Sequence, residues 1–228
     1  MNPPSPDLCA WKKERIIQKE IKPYLSAGKD FIHDEEIIEK IAGHTKPDAC
    51  HIRDILAKSQ AIQTLTPDET AILLNARDPD TWEEMMQTAC EIKKKVYDNR
   101  IVTFAPLYVS NLCLNECLYC GFRNENDAVT RRTLSQNEIK KETEILAGEI
   151  GHKRLILVCG EHPDNDIDYM VSTIETIYSV KIKVKNGMGN IRIVNVNAPP
   201  MSVASLKQLR DAGIGTYQVF QETYHHKT

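Results

Sequence analysis

The sequence predicts an α/β protein in which a helical region, residues 1–100, precedes alternating strands and helices in residues 101–228. Two observations lead to this prediction. The first region contains helix signals and no convincing strand, whereas the second alternates short β-rich runs with amphipathic segments. Right-handed crossovers between such strands give either an open doubly wound sheet or an arc of a β/α (TIM-like) barrel.

Two helix starts stand out in the first region. Thr66 is followed by Pro67 and, three residues after the threonine, by Glu69, which is the pattern of a capping box before an apolar run. Asp80 is predicted to open a further helix in the same way. We expect that helix to run to about Asp98.

Four runs predict the strands of the second region: residues 101–109, 154–159, 190–196 and 215–220. The run RLILVC at 154–159 is apolar almost throughout, which indicates a strand buried on both faces. Ser135 and Glu138 predict a capping box at the start of the first intervening helix. The apolar faces of the three intervening helices are predicted at Ile139, Leu146 and Ile150, at Ile167, Val171, Ile174 and Tyr178, and at Val203, Leu206 and Leu209, with Gly213 ending the last helix.

The number of predicted strands is small for a closed barrel. Eight β/α units take roughly 250 residues, and this 228-residue sequence contains four such strands after a helical region. We therefore expect a sequence truncated after the fourth strand, that is, the N-terminal half of a barrel.

Composition excludes several classes of function. A formal net charge of -3, from 29 basic and 32 acidic residues, gives no field of one sign that would favour nucleic-acid binding. The sequence contains neither a signal-peptide core nor the roughly 20 consecutive apolar residues of a membrane-spanning helix. We expect a cytoplasmic protein that binds neither nucleic acid nor membrane.

Three of the seven cysteines lie within eight residues. The segment CLNECLYC places Cys113, Cys117 and Cys120 directly after the first predicted strand, at the edge of a β/α sheet where such folds keep their chemistry. In a reducing compartment, closely spaced thiolates indicate a metal centre, whereas scattered cysteines are structural. The scattered ones are Cys9, Cys50, Cys90 and Cys159.

The spacing favours an iron-sulfur cluster over zinc. A structural zinc site needs a fourth ligand and usually a second pair of close cysteines, which this sequence lacks. Three thiolates on a four-iron cluster leave one iron open for a small molecule. A zinc-binding or electron-transfer module remains the alternative from another functional class.

The cysteine spacing CxxxCxxC, with an aromatic residue before its last cysteine, resembles the radical S-adenosylmethionine (SAM) superfamily. The segments APLYVSNLCLNECLYCGFRNEND, LVCGEHP, NVNAPP and AGIGTYQVFQETYHHKT are similar to its aromatic-amino-acid lyase branch. That branch includes the HydG-type maturases of iron-only hydrogenase and the ThiH-type enzymes of thiamine synthesis, and the similarity is greater to the HydG type. It covers only the N-terminal part of those enzymes.

The resemblance implies a radical SAM carbon-carbon lyase with a 4Fe-4S cluster and SAM as cofactors. Its expected substrate is L-tyrosine, cleaved between Cα and Cβ to p-cresol and dehydroglycine, which leads to carbon monoxide and cyanide for hydrogenase maturation. The ThiH alternative is 2-iminoacetate synthesis, in which dehydroglycine is passed on intact. The implied partners are a reductant such as flavodoxin or ferredoxin and other hydrogenase maturation proteins.

The resemblance also assigns roles to individual residues. Cys113, Cys117 and Cys120 are the expected metal ligands, and Tyr119 is expected near the adenine of SAM. Gly160 and Glu161 match the element that holds the SAM ammonium group, with a solvated glutamate in a turn as the alternative. Further pocket candidates follow the last two strands, namely Asn195, Asn197, Gln221, Glu222, Tyr224 and His225. His162 is interpreted as a loop residue, with a ligand or a proton donor as the alternatives, and Cys159 as an inert core thiol.

Overall fold

A computed structural model describes residues 8–15, 17–25, 32–185 and 187–224. The chain divides into two compact units, residues 18–101 and residues 102–228 together with 1–17. That the predicted regions 1–100 and 101–228 are separate domains stays a prediction. No helix in the described ranges is both long enough and apolar enough to span a membrane.

The described part of residues 1–100 forms helices. Their bounds are α1 Leu8–Arg15, α2 Gln18–Ile21, α3 Asp34–Gly43, α4 Ala49–Gln60, α5 Pro67–Leu74 and α6 Pro79–Tyr97, with a 3-10 turn at Lys22–Tyr24. Thr66 and Glu69 make the predicted capping box. The N-cap of α6 is Asp78, whose side chain accepts from the Thr81 N–H, and not the predicted Asp80, so the helix begins at Pro79.

The remainder alternates strands and helices. Their bounds are β1 Ala105–Ser110, α7 Gln136–Glu144, β2 Arg154–Cys159, α8 Ile167–Ser179, β3 Ile182–Val184, β4 Gly187–Gly189, β5 Ile193–Asn197, α9 Val203–Asp211 and β6 Tyr217–Gln218. A π-helical turn, Ile145–Ile150, continues α7, and a 3-10 turn, Pro163–Asn165, precedes α8. Ser135 and Glu138 make the predicted capping box of α7.

The sheet identifies the architecture. Four strands of the described chain pair in the order β1-β2-β5-β6, all parallel, with Leu107 opposite Leu157 and Leu155 opposite Val194. Parallel strands that follow one another in sequence order, with no switch point, form an arc of a barrel and not a doubly wound sheet. The fold is thus a partial TIM-like barrel preceded by helices.

The core lies on one face of this arc. Leu155, Leu157 and Cys159 of β2 are buried, whereas Ile156 and Val158 are only partly so. The prediction that β2 is buried on both faces was therefore wrong, because α7, α8 and α9 cover a single face of the described sheet. The fully buried side chains of this core include Val109, Ile139, Met170, Ile174, Ile177, Val194, Val196 and Leu209.

Several other predictions differ from the structure, and the predicted end of α9 agrees with it. Residues 101–104 lie outside the strands, and the lysine-rich segment after α8 forms an antiparallel hairpin, β3–β4, that was not predicted. Ile150 and Val203, predicted on apolar helix faces, are exposed. Gly213 follows α9 with a positive φ of 85°, as expected for a helix end.

Replacing Leu157 with alanine is expected to lower the free energy of unfolding by about 2 to 5 kcal/mol, since it opens a cavity in the buried core. Val203→Ala, at an exposed position of α9, is the control and should change stability by less than about 0.5 kcal/mol. Chemical denaturation followed by circular dichroism measures both. Equal effects would contradict the described core.

Candidate functional site

The cysteine segment lies at the carboxyl end of β1. Cys113, Cys117 and Cys120 follow Ser110, the last residue of that strand, and the carboxyl ends of parallel strands share one edge of the sheet. Gly160 and Glu161 follow β2 at the same edge. The fold thus brings the two predicted sequence elements, some forty residues apart, to one place.

Backbone hydrogen bonds fix the cysteine segment against the end of β2. The Leu114 N–H donates to the Glu161 carbonyl oxygen at 2.9 Å. The side-chain amide of Asn165, which is buried, donates to the carbonyl oxygens of Leu112 at 3.2 Å and of Gly160 at 2.7 Å. Asn165 therefore ties the two segments together, a role that sequence analysis missed.

Gly160 permits this approach because it has no side chain. A Cβ atom there would lie 2.7 Å from Cys113 Cβ and closer still to the Leu112 carbonyl oxygen, well inside normal contact distances. Glycine at this position is required by packing between two loops. The predicted role in approaching SAM is compatible with that requirement and stays a prediction.

The three cysteines are partly exposed free thiols within eight residues of the chain. The pKa of Cys117 is raised first by burial and then by the negative charges of Glu222, Cys113 and Cys120. These charges act on the Cys117 thiol from nearby, and a bound cation would oppose their effect. Glu222, a predicted pocket residue, therefore lies near the thiols.

The donor set fits a cluster better than a single ion. Within the described ranges, no three His, Cys, Asp or Glu side chains surround one point as ligands of a single metal ion would. In an iron-sulfur cluster each thiolate binds a different iron atom, so neighbouring thiols need not converge on one point. Three partly exposed thiols in one loop meet that requirement.

The Glu161 carboxylate is bound on both oxygens. Arg15 Nε donates to Oε1 at 2.6 Å, and the Asn115 side-chain amide donates to Oε2 at 2.6 Å. Its side chain is 21% exposed, so the interpretation as a solvated turn residue was wrong. Arg15 also donates to the Pro200 carbonyl oxygen at 2.7 Å and lies over the Trp11 ring. Neither Arg15 nor Asn115 was singled out from the sequence.

The other predicted residues lie in different environments. Tyr119 is 71% exposed, so its proposed contact with adenine stays a prediction. His162 accepts a hydrogen bond from the Asp164 N–H and so caps a turn, as a loop residue does. Burial raises the pKa of Cys159 to about 12, as expected for an inert core thiol.

The remaining pocket candidates are divided between the barrel interior and the chain after β6. Asn197 donates to the Gln218 carbonyl oxygen at 3.2 Å, which links β5 to β6. Tyr224 is exposed. His225 lies outside the described residues.

This combination of a β/α barrel arc and a three-cysteine loop at its carboxyl edge is that of a radical SAM protein. The radical SAM superfamily profile matches residues 107–228, and the chain belongs to this superfamily. Radical SAM proteins use a 4Fe-4S cluster and S-adenosylmethionine.

Among solved structures, the chain is similar to a HydG, a maturase of the [FeFe]-hydrogenase, with 46% identity and a TM-score of 0.78 over 86% of this chain and 42% of that one. HydG from Carboxydothermus hydrogenoformans gives 35% identity and a TM-score of 0.70 over 84% of this chain and 43% of that one. A 2-iminoacetate synthase of Salmonella typhimurium strain LT2 is 31% identical over 71% of this chain and 40% of its own length. The chain thus spans about 40% of the curated relatives it matches first.

Gly160→Ala is expected to destabilise the site, because the added methyl group would overlap the Leu112 carbonyl and Cys113 Cβ. The expected cost is about 1 to 3 kcal/mol, with reduced iron retention after anaerobic reconstitution. Gly121→Ala, directly after Cys120, meets no atom within 4 Å and is the matched control. Iron retention equal in both variants would contradict the close packing described here.

Proposed function

We propose that this chain is the cluster- and SAM-binding part of a radical SAM tyrosine lyase, which cleaves the Cα–Cβ bond of L-tyrosine to p-cresol and dehydroglycine. One observation carries the proposal. The cysteine loop docks on Gly160 and Glu161, so three thiols and a carboxylate meet at the carboxyl edge of the barrel strands. Similarity to HydG and to 2-iminoacetate synthase supports tyrosine as the substrate.

Cys113, Cys117 and Cys120 are the proposed ligands of a 4Fe-4S cluster, with one iron left for SAM. When bound and reduced, the cluster supplies the electron that cleaves SAM to methionine and the 5'-deoxyadenosyl radical. The chain's own contribution is to hold the thiols in one loop and to fix that loop to the end of β2. Buried Cys159, with its raised pKa, stays protonated and does not compete as a ligand.

Glu161 is the proposed partner of the SAM ammonium group, and Tyr119 the proposed neighbour of its adenine. The Glu161 carboxylate already binds one cation, the Arg15 guanidinium. An ammonium group can make the same kind of charge-assisted hydrogen bond to a carboxylate. Asn115 holds Oε2 from the cysteine loop, so it fixes the carboxylate relative to the proposed cluster. The ammonium group would bind beside Arg15 or in its place.

The HydG type is the favoured assignment within the lyase branch, since the HydG similarity reaches 46% identity over 86% of this chain. In that case the glycyl fragment leads to carbon monoxide and cyanide for hydrogenase maturation. A reductant such as flavodoxin or ferredoxin and other maturation proteins are then its partners. The 31% identical 2-iminoacetate synthase supports the second candidate, in which dehydroglycine leaves intact.

Replacing any one of Cys113, Cys117 and Cys120 with serine is expected to abolish binding of about four irons per chain after anaerobic reconstitution with iron and sulfide. The reduced wild-type protein should give an S = 1/2 electron paramagnetic resonance signal that SAM alters. Cys50→Ser and Cys90→Ser, at exposed helix positions, are controls and should retain the cluster. Stoichiometric zinc without iron uptake would contradict the proposal.

Glu161→Gln is expected to weaken SAM binding about 10- to 100-fold, because the change removes the charge and keeps the shape. Iron content should stay unchanged. Asp164→Asn, an exposed carboxylate three residues further on, is the control and should bind SAM normally. Calorimetric titration of the reconstituted proteins measures both affinities, and an unchanged value for Glu161→Gln would remove Glu161 from the SAM site.

The lyase reaction can be tested at the length of the relatives by exchanging the matching segment of a HydG for this chain. Anaerobic incubation of that chimera with SAM, reductant and L-tyrosine is expected to yield 5'-deoxyadenosine together with p-cresol. The chimera carrying Cys117→Ser should yield neither. Formation of 5'-deoxyadenosine without p-cresol would support the proposed SAM site and contradict the proposed cleavage of L-tyrosine.

A further inference from the structure

The side chain of Arg131 binds the main chain on both sides of the cysteine motif. Its guanidinium donates to four carbonyl oxygens: those of Asn111 at 2.6 Å and Phe122 at 2.8 Å from Nη1, and those of Arg123 and Asn126 from Nη2. Asn111 precedes Cys113, whereas the other three acceptors follow Cys120. One side chain thus joins the beginning and the end of the segment that carries the three thiols.

The base of this side chain is fixed to the sheet. Thr133 forms an antiparallel bridge to Ser110 at the end of β1, and the Leu134 N–H donates to the Val109 carbonyl oxygen at 2.8 Å. The main chain of Arg132 exchanges hydrogen bonds with Asn111. Arg131 therefore reaches the cysteine loop from a segment whose position is set by β1.

Only arginine can make these contacts. The guanidinium is planar and carries five N–H donors in a fixed geometry, so it can satisfy four carbonyl groups that point inwards from one loop. A lysine ammonium has three donors on a flexible stem and would leave carbonyls unpaired. Within the described part of the chain, Arg131 forms no ion pair, so its bonding serves the backbone of the loop.

The adjacent Arg132 shows the contrast. Its side chain is 57% exposed and pairs with Glu138 at 2.6 Å, at the capping box of α7. Arg131 instead lines, together with Cys113, Asn126 and His162, a cavity of about 310 Å³ beside the cysteine loop. Two consecutive arginines therefore differ in that one faces the helix start and the other the proposed cluster site.

We infer that Arg131 is the positioning residue of the cysteine loop, which sets the three thiols in the arrangement that binds the cluster. It acts through the backbone carbonyl groups of residues 111–126. This inference rests on the proposed function, because it requires Cys113, Cys117 and Cys120 to be the cluster ligands. Arg131 lies outside the CxxxCxxC motif, so the motif alone does not identify it.

The test compares Arg131→Gln and Arg131→Lys with Arg132→Gln, which removes the neighbouring charge and leaves the loop contacts in place. In the protein without iron, amide hydrogen exchange should become faster in residues 111–126 for both Arg131 variants. Amides of β2 and α8 should exchange as in the wild type. Arg132→Gln should leave the loop unchanged.

The second measurement follows the reconstituted proteins. Iron affinity, measured by competition with a chelator, should fall about 10- to 100-fold in both Arg131 variants, as it does when a group that orients metal ligands is removed. The signal of the reduced cluster should broaden, since the ligand geometry becomes less uniform. Failure of lysine to restore affinity would show that the fork geometry, and not the charge, is required.

The outcomes separate the inference from the proposed function. A wild-type chain that takes up no iron contradicts the proposed function. A wild-type chain that binds iron, with Arg131 variants that bind it equally well, overturns the role of Arg131. Faster exchange throughout β2 and α8 in Arg131→Lys would also overturn it, because the residue would then support the whole unit and not the loop.

Discussion

The approach of the cysteine loop to the end of β2 is the contact on which the site depends. Two backbone segments meet at a distance that leaves no room for a side chain at Gly160. The Leu114–Glu161 backbone hydrogen bond and the bridging amide of Asn165 then fix their alignment. The parallel pairing of β1 and β2 shifts register between Tyr108 and Ser110, so these loop contacts, and not the strand register alone, set the position of the thiols relative to Glu161.

Electrostatics separates the cysteines into two kinds. Cys113, Cys117 and Cys120 are partly exposed, and the pKa of Cys117 is raised by burial and by its negatively charged neighbours, an effect that bound cations would oppose. Cys159, the last residue of β2, is buried, and desolvation raises the pKa of its thiol to about 12. Burial therefore separates Cys159 from the three partly exposed thiols that are the proposed ligands.

Local signals predicted the elements that depend on neighbours in sequence. Both capping boxes and the strand at 154–159 follow from residues a few positions apart, so the sequence was sufficient. The errors fall where tertiary contacts decide. Ile150 and Val203 have helical spacing but are exposed, and the hairpin Ile182–Gly189 forms where alternating lysines resembled a solvated face.

The sequence by itself determined which residues form the candidate site: three cysteines at a fixed spacing after a strand, and a Gly-Glu pair after the next strand. The alternation of strands and helices left the strand order open, and the tertiary structure confirmed the expected barrel arc by giving that order. Only the tertiary structure decided that Glu161 binds Arg15 and Asn115, and that Arg131, not Arg132, binds the cysteine loop. The partners of Glu161 are far from it in sequence, and Arg131 and Arg132 are adjacent residues of the same type. Residue type therefore cannot reveal these contacts, whereas the packing of the folded chain fixes where each side chain points.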